Sequence, residues 1–153
     1  MDTEGETVEG IQIRKIDIRD ADDIGRIEEA ITQSASRVDF RQIIEEQVRR
    51  NDAASFVAEI DGEVVGYMIS YMMYGGFGLE KSAWIAVLGV APKYMGQGIG
   101  KRLAEEIFQV YEERGIKNIF TSVRWDSVDL LSFFKTLGFD RSNFINLQKN
   151  HVS

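Results

Sequence analysis

Three glycines at alternate positions, Gly96, Gly98 and Gly100, followed by Lys101 and Arg102, form the stretch whose residue types point most directly to a ligand. Glycine has no Cβ, so a bound group can come against bare backbone there. From Ile99 the apolar residues fall at helical spacing: Ile99, Leu103, Ile107, Val110 and Tyr111. A helix therefore starts among the glycines, with its first amide hydrogens lacking an acceptor one turn back. Those amides and the partial positive charge of the helix end make a seat for a phosphate group. Lys93, Lys101 and Arg102 either help neutralise such a group or form a solvated helix face.

Spacing decides among the loops that share this logic. A dinucleotide fingerprint needs glycine at position 101, which is Lys101, and needs its glycines directly after a strand. A Walker loop needs Ser or Thr after Gly100-Lys101, where Arg102 stands. Both fail. The elements that must position the loop are nevertheless plain. Trp84 to Val90 is an almost unbroken apolar run, as in a strand buried on both faces, and Pro92, the only proline, stops pairing after it.

Other chemistry is bounded by what the chain contains. With no cysteine there is no disulfide framework or thiolate nucleophile. The only histidine is His151, so a histidine base or a histidine-rich metal site would rest on that one residue; no metal is expected. Proton transfer falls to carboxylates, tyrosines, lysines, water or backbone. A net charge of −7 argues against nucleic acid as the main partner and suits an amine-bearing substrate. Apolar content of 44% and charged content of 28% over 153 residues fit one soluble globular domain, with no membrane-length apolar run, no hydrophobic signal region and a cytoplasmic location.

Along the chain, residues 1–10 read as a disordered acidic tail and residues 11–153 as a single domain. Ile11 to Ile18 suggests a strand with a slip in its middle. Asp20 and Asp22 are caps for a helix reaching Gln33, and Asp39 caps a second helix in an Asp39-x-x-Gln42 capping box. Ser55–Ile60, Asp61-Gly62 and Glu63–Tyr74 read as a hairpin, Tyr74–Leu79 as a turn and Glu80–Val90 as the next strand. Gly89 inside that strand marks a bulge, or a close approach by a helix packed above it. After the helix Ile99–Arg114, residues 118–125 alternate as a strand parallel to the previous one. Ser127–Leu137 is a helix with its stripe on Val128, Leu131, Phe134 and Leu137. Phe139–Lys149 closes the sheet or offers an edge for homodimer pairing.

The setting Val-x-Pro-x-Tyr-x-Gly-Gln-Gly-Ile-Gly-x-x-Leu, Val90 to Leu103, resembles the pyrophosphate loop of the GNAT superfamily of N-acetyltransferases, Arg/Gln-x-x-Gly-x-Gly/Ala. Gly98 and Gly100 match it, and Met95 stands at its leading position. A second stretch, Ser127 to Phe139, is similar to the family's Asn-x-x-Ala-x-x-x-Tyr-x-x-x-Gly-Phe in length and ending. Ser127 stands for Asn, Leu130 for Ala and Phe134 for Tyr. The resemblance covers roughly Ile11 to Lys149. It implies an α/β (α+β) fold: a mixed, mostly antiparallel sheet with a splayed parallel strand pair, flanked by about four helices.

It further implies direct transfer of an acetyl group from acetyl-coenzyme A to a primary amine of a small molecule, peptide or protein N-terminus. Met95, Gly96, Gln97, Gly98, Ile99, Gly100 and Lys101 would hold the pyrophosphate. Leu88, Gly89 and Val90 would present strand amides to the pantetheine arm and thioester carbonyl, and Ser127, Leu130, Phe133 and Phe134 complete the coenzyme A set. The tyrosine that acts as thiolate acid in the family is Phe134 here, so water, Asp126, Tyr71 or Tyr94 takes that role, with packing under the loop as Tyr94's other reading. Glu80, at the start of the cleft strand, is the candidate base. Arg37, Asp39 and Phe40, between the first two helices, are candidates for substrate contact, or else cap and pack. The alternative function is a non-catalytic sensor of coenzyme A or acyl-coenzyme A.

Overall fold

The computed structural model describes residues 10–50 and 53–151. The acidic tail expected at residues 1–10 lies outside them except for Gly10. The chain divides into two compact units, residues 1–122 and 123–153.

The first unit is built on a five-stranded sheet in the order β1-β2-β3-β4-β5. Strand β1 is Ile11–Lys15, β2 is Phe56–Ile60, β3 is Glu63–Tyr74, β4 is Lys81–Val90 and β5 is Ile119–Thr121. The first four pair antiparallel in sequence order, and β4 pairs parallel with β5. Asp61 (φ 52°) and Gly62 (φ 82°) both take left-handed backbone, the conformation of the tight two-residue turn that matches strand twist.

Helices α1 (Ala21–Thr32) and α2 (Phe40–Arg50) cover one face. There Ile24, Ile27, Phe40 and Ile44 pack with Val57, Tyr67 and Ile69. Helix α3 (Ile99–Glu113) lies on the opposite face, where a Cβ on Gly66 would come within 3.1 Å of Ile99 Cγ2 and 3.4 Å of Leu103 Cδ1. Two bulges interrupt the ladders. Ala58 pairs with Gly66 but Glu59 with Val64, leaving Val65 extra; Ile69 pairs with Val87 but Ser70 with Ile85, leaving Ala86 extra.

Several sequence expectations change here. β1 ends at Lys15, because Asp17 caps a 3₁₀ turn, Ile18–Asp20, by accepting from Arg19 N–H. Asp20 occupies the cap position of α1 yet makes no side-chain cap bond. Its carboxylate is committed to Arg14, with bonds of 2.9 and 2.8 Å, and to Asp17 N–H. The α2 cap at Asp39 does form: its carboxylate accepts from Gln42 N–H at 3.1 Å.

One buried polar cluster ties the unit together. Tyr111, near the end of α3, accepts from Ala54 N–H (3.0 Å) and bonds Ser70 Oγ (2.6 Å), which in turn donates to Ala54 O. Ser70 N–H donates to Ser55 Oγ, and Gln47 of α2 donates to Ser70 O. Ser70 thus holds β3 at its second register shift.

The second unit contains helix α4, Val128–Thr136. Phe134 is buried, with edge-to-face contacts to Phe133 (5.2 Å) and Phe139 (5.1 Å). The expected stripe is only partly realised, since Val128 and Leu131 are exposed. The strand expected over 118–125 stops at Thr121, leaving Trp125 86% exposed. No strand forms among the described residues after α4, so the expected closing strand at Phe139–Lys149 is absent from this unit. No helix among the described residues is long and apolar enough to cross a membrane.

Candidate functional site

The glycine loop enters α3 through left-handed backbone and leaves the start of the helix without a side-chain cap. Pro92–Tyr94 forms a single 3₁₀ turn, and Gly96 (φ 79°) and Gly98 (φ 81°) then take left-handed backbone that side chains rarely adopt. Gly98 is the N-cap of α3, and helical bonding begins with Arg102 N–H to Gly98 O at 3.1 Å. The turn before it directs its amides out of the helix end. No side chain caps that end, in contrast to α2, whose first turn Asp39 occupies. Met95 and Gly96 are exposed, Gln97, Gly98, Gly100 and Lys101 half-buried, and Ile99 is buried in the sheet.

The cations around the loop go different ways. Lys93 sits over the Tyr94 ring, its Nζ 5.5 Å from the centroid. Arg102 lines an open depression with Gln12, Glu105 and Glu106 on the β1 side.

Strand β4 leads from this loop back to a point of divergence. It pairs with β5 only at Ala83↔Ile119, Trp84↔Phe120 and Ile85↔Thr121. Thr121 Oγ1 then donates to Ile85 O at 3.0 Å, and the parallel ladder ends. The bulge at Ala86 follows at once, and a bulge increases local twist, which turns the strands apart. Among the described residues Val87–Val90 pairs with β3 alone, and no strand pairs with its other edge.

Gly89 has a different reason from the expected one. It stays in register opposite Tyr67, and a Cβ there would lie 2.8–2.9 Å from two ring carbons and the hydroxyl oxygen of Tyr67. The bulge belongs to Ala86, three residues earlier. The close helix approach expected above Gly89 belongs to Gly66. Tyr67 is itself 2% exposed and edge-on to Phe40 at 5.8 Å; burial first, and the Glu28 charge second, push its hydroxyl up to about 12.

The candidate proton carriers are scattered. Glu80 is exposed, and its carbonyl accepts from Gly75 N–H at 2.7 Å to close the turn before β4. Asp126, in the second unit, receives two bonds from Arg124 (3.0 and 2.9 Å), and this pairing lowers its pKa. A carboxylate held ionised in this way is a poor proton donor. Tyr71 stacks on Trp84, with ring centroids 6.4 Å apart. Ser127, Leu130, Phe133 and Phe134 lie in the second unit on and beside α4; Ser127 is its N-cap without a side-chain bond.

Between α1 and α2 an open cavity of about 440 Å³ is lined by Ser36, Val38, Asp39 and Phe40 together with Gly25, Arg26 and Glu29 of α1. Asp39 and Phe40 border it; Asp39 also caps α2, and Phe40 packs edge-on to Tyr67. Arg37 is not among its lining residues. Sequence reasoning missed the ring cluster of Tyr71, Phe77, Trp84 and Phe120, because its members are far apart in the chain.

Known proteins place this geometry in context. The model of the acetyltransferase (GNAT) family matches residues 21–139. An N-alpha-acetyltransferase of Sulfurisphaera tokodaii is 30% identical over 101 residues, covering 61% of this chain and 60% of the relative. A mycothiol acetyltransferase of Renibacterium salmoninarum is 28% identical over 108 residues, covering 69% of this chain and 31% of the relative. The matched part thus spans less than two thirds of either relative. Among solved structures, an aminoglycoside N-acetyltransferase in complex with CoA superposes with a TM-score of 0.79 at 14% identity, covering 93% of this chain and 95% of that one. A ribosomal-protein-alanine N-acetyltransferase from Brucella melitensis gives 0.72 at 20% identity, covering 93% and 99%. These two share the fold.

Proposed function

We propose, from the premise that the chain belongs to the acetyltransferase (GNAT) family, that it transfers an acetyl group from acetyl-coenzyme A to a primary amine by direct attack in a ternary complex. One observation carries this reading: the uncapped start of α3, entered through left-handed Gly96 and Gly98, lies one 3₁₀ turn beyond Val87–Val90 of β4, the segment that pairs only with β3. The relatives named as acetyltransferases support the same chemistry.

In this reading the amides of Gly98, Ile99 and Gly100 hold the diphosphate of the cosubstrate, which supplies the acetyl group as a thioester. Met95, Gly96, Gln97 and Lys101 border it. The open edge at Leu88, Gly89 and Val90 receives the pantetheine arm, and a strand amide there polarises the thioester carbonyl. The amine nitrogen forms a bond to the carbonyl carbon, the carbon–sulfur bond breaks with its electron pair on sulfur, and the proton lost by nitrogen balances the one gained by the thiolate. Glu80 accepts the amine proton through water. Asp126, paired with Arg124, does not donate to sulfur; solvent or Tyr94 does. Ser127, Leu130, Phe133 and Phe134 complete the coenzyme A contacts. Cytoplasmic location and homodimer pairing belong to the same reading, and cell fractionation and analytical ultracentrifugation test them.

Calorimetry with acetyl-coenzyme A, together with thiol release over a panel of amines, tests the whole. Binding with thiol release is the expected result. Binding without release for every amine supports a sensor instead, and absence of binding overturns the loop assignment.

A further inference from the structure

On the face of β4 that also carries Gly89, the rings of Tyr71, Phe77, Trp84 and Phe120 form a wall where β4 and β5 part. Trp84 stacks on Phe120 with centroids 5.0 Å apart and on Tyr71 at 6.4 Å. Phe77 lies against both Trp84 (5.9 Å) and Phe120 (5.8 Å). Two features set this wall apart from ordinary core. The Trp84 Nε1 and Ser82 Oγ atoms, two residues apart on the same strand face, are both buried with no hydrogen-bond partner, against the strong rule that such atoms are paired. Phe77 also holds φ 55° within a run of left-handed residues, Gly75 (78°), Gly76 (89°) and Gly78 (72°). A bulky side chain rarely stays there unless its surroundings hold it. Phe77 is nevertheless 42% exposed, on a turn of glycines that can re-form.

We infer that this wall seats the first residue of a peptide-like acceptor: a free α-amine followed by a carbonyl and an apolar side chain. The inference rests on the acetyl-transfer reading and narrows its amine. An indole N–H can only donate, so what Trp84 lacks is an oxygen acceptor, which a peptide carbonyl supplies and a polyamine does not. The apolar side chain takes the place of the Phe77 ring on Trp84, and the turn Tyr74–Leu79 moves aside. Trp84 is two to six residues from the open edge Ala86–Val90. At about 3.3 Å per residue the near end of that edge lies about 7 Å along the strand from Trp84, and the acceptor's first residue spans that gap with its amine toward the thioester. Glu80 is the only carboxylate from Tyr74 to Val90, enough for one ammonium group and too few for a polycation.

The test compares thiol release from phenylalanyl- and leucyl-tripeptide amides, 2-phenylethylamine, spermidine and kanamycin, with acetyl-coenzyme A binding followed by calorimetry. The tripeptide amides should be the best acceptors. Trp84→Phe keeps a ring and removes the N–H. It should raise KM for the tripeptides about tenfold, leave KM for 2-phenylethylamine, which has no carbonyl, unchanged, and leave acetyl-coenzyme A affinity unchanged. Phe77→Ala, at the exposed turn, should lower the tripeptide KM and shift Trp84 emission to the red in a Trp125→Phe background. Preference for spermidine or kanamycin, or an equal effect of Trp84→Phe on amines with and without the carbonyl, overturns the peptide assignment while leaving acetyl transfer standing. No release from any amine, with the cosubstrate bound, overturns both.

Discussion

The Tyr67 ring lies directly over Gly89, leaving no room for a single additional carbon: a Cβ would meet two ring carbons and the hydroxyl oxygen at 2.8–2.9 Å. Tyr67 is buried between β4 and Phe40, so the ring cannot swing into solvent. Gly89→Ala should therefore cost about 1–3 kcal/mol of stability through overpacking. Urea unfolding measures it. A variant with the midpoint of the parent would show that the ring relaxes freely.

Tyr67 also predicts a pH dependence. Its folded pKa, about 12, stands above the ordinary tyrosine value because burial disfavours the phenolate. The neutral hydroxyl contributes fully below pH 10, and the contribution is lost as pH rises through 12. The loss should be on the order of 2 kcal/mol. Tyr67→Phe should abolish this alkaline step in unfolding free energy. An unchanged step between pH 10 and 12 would assign it to other groups.

Gly98→Asp should weaken acetyl-coenzyme A binding at least tenfold. It forces a side chain into φ 81° and sets a carboxylate at the uncapped helix end. Thermal unfolding of the unliganded variant separates loss of binding from loss of fold. Normal affinity would mean the phosphates sit elsewhere.

Asp20→Ala should destabilise by about 3–5 kcal/mol, since it leaves Arg14 without its bidentate partner in a largely buried setting. The Arg14 guanidinium, its pKa raised mainly by the Asp20 bond, stays charged and is left with Glu59 Oε2 (3.0 Å) and Lys15 O (3.2 Å) as acceptors. Denaturant titration at neutral pH reads the loss directly, and a change within error would mean Glu59 suffices.

Glu80→Gln should lower kcat about 10²-fold, with acetyl-coenzyme A affinity intact. Should the rate match the parent, Glu80 is solvated surface and nothing more.

How far this could be seen in the residues varied with how local the cause was. Asp61-Gly62 specified a turn, and Gly96-x-Gly98 a loop before a helix, because each depends on the φ of its own residues. Gly89 was recognised as unusual but given the wrong reason. Its constraint is a ring on the neighbouring strand, and the helix contact imagined for it belongs to Gly66. The bulge at Ala86 has no mark of its own in the chain, since alanine suits paired and unpaired positions alike. Asp20 read as a cap because aspartate before an apolar stripe usually is one; Arg14 outcompeted the helix amides for it. The ring wall gathers positions 71, 77, 84 and 120; the parallel pairing of the two strands was legible, but the register that sets Trp84 opposite Phe120 was not.

The Tyr111 anchor has a consequence beyond its own bonds. Helix α3 is a stiff rod of fifteen residues, bolted at its far end to Ser70 and Ala54 and pressed on Gly66 near its start. At 1.5 Å per residue the bolt lies roughly 20 Å from the glycine loop. On the proposed reading the aim of the loop's amides is set by a buried hydroxyl, and loosening that distant joint should weaken acetyl-coenzyme A binding without altering any residue of the loop.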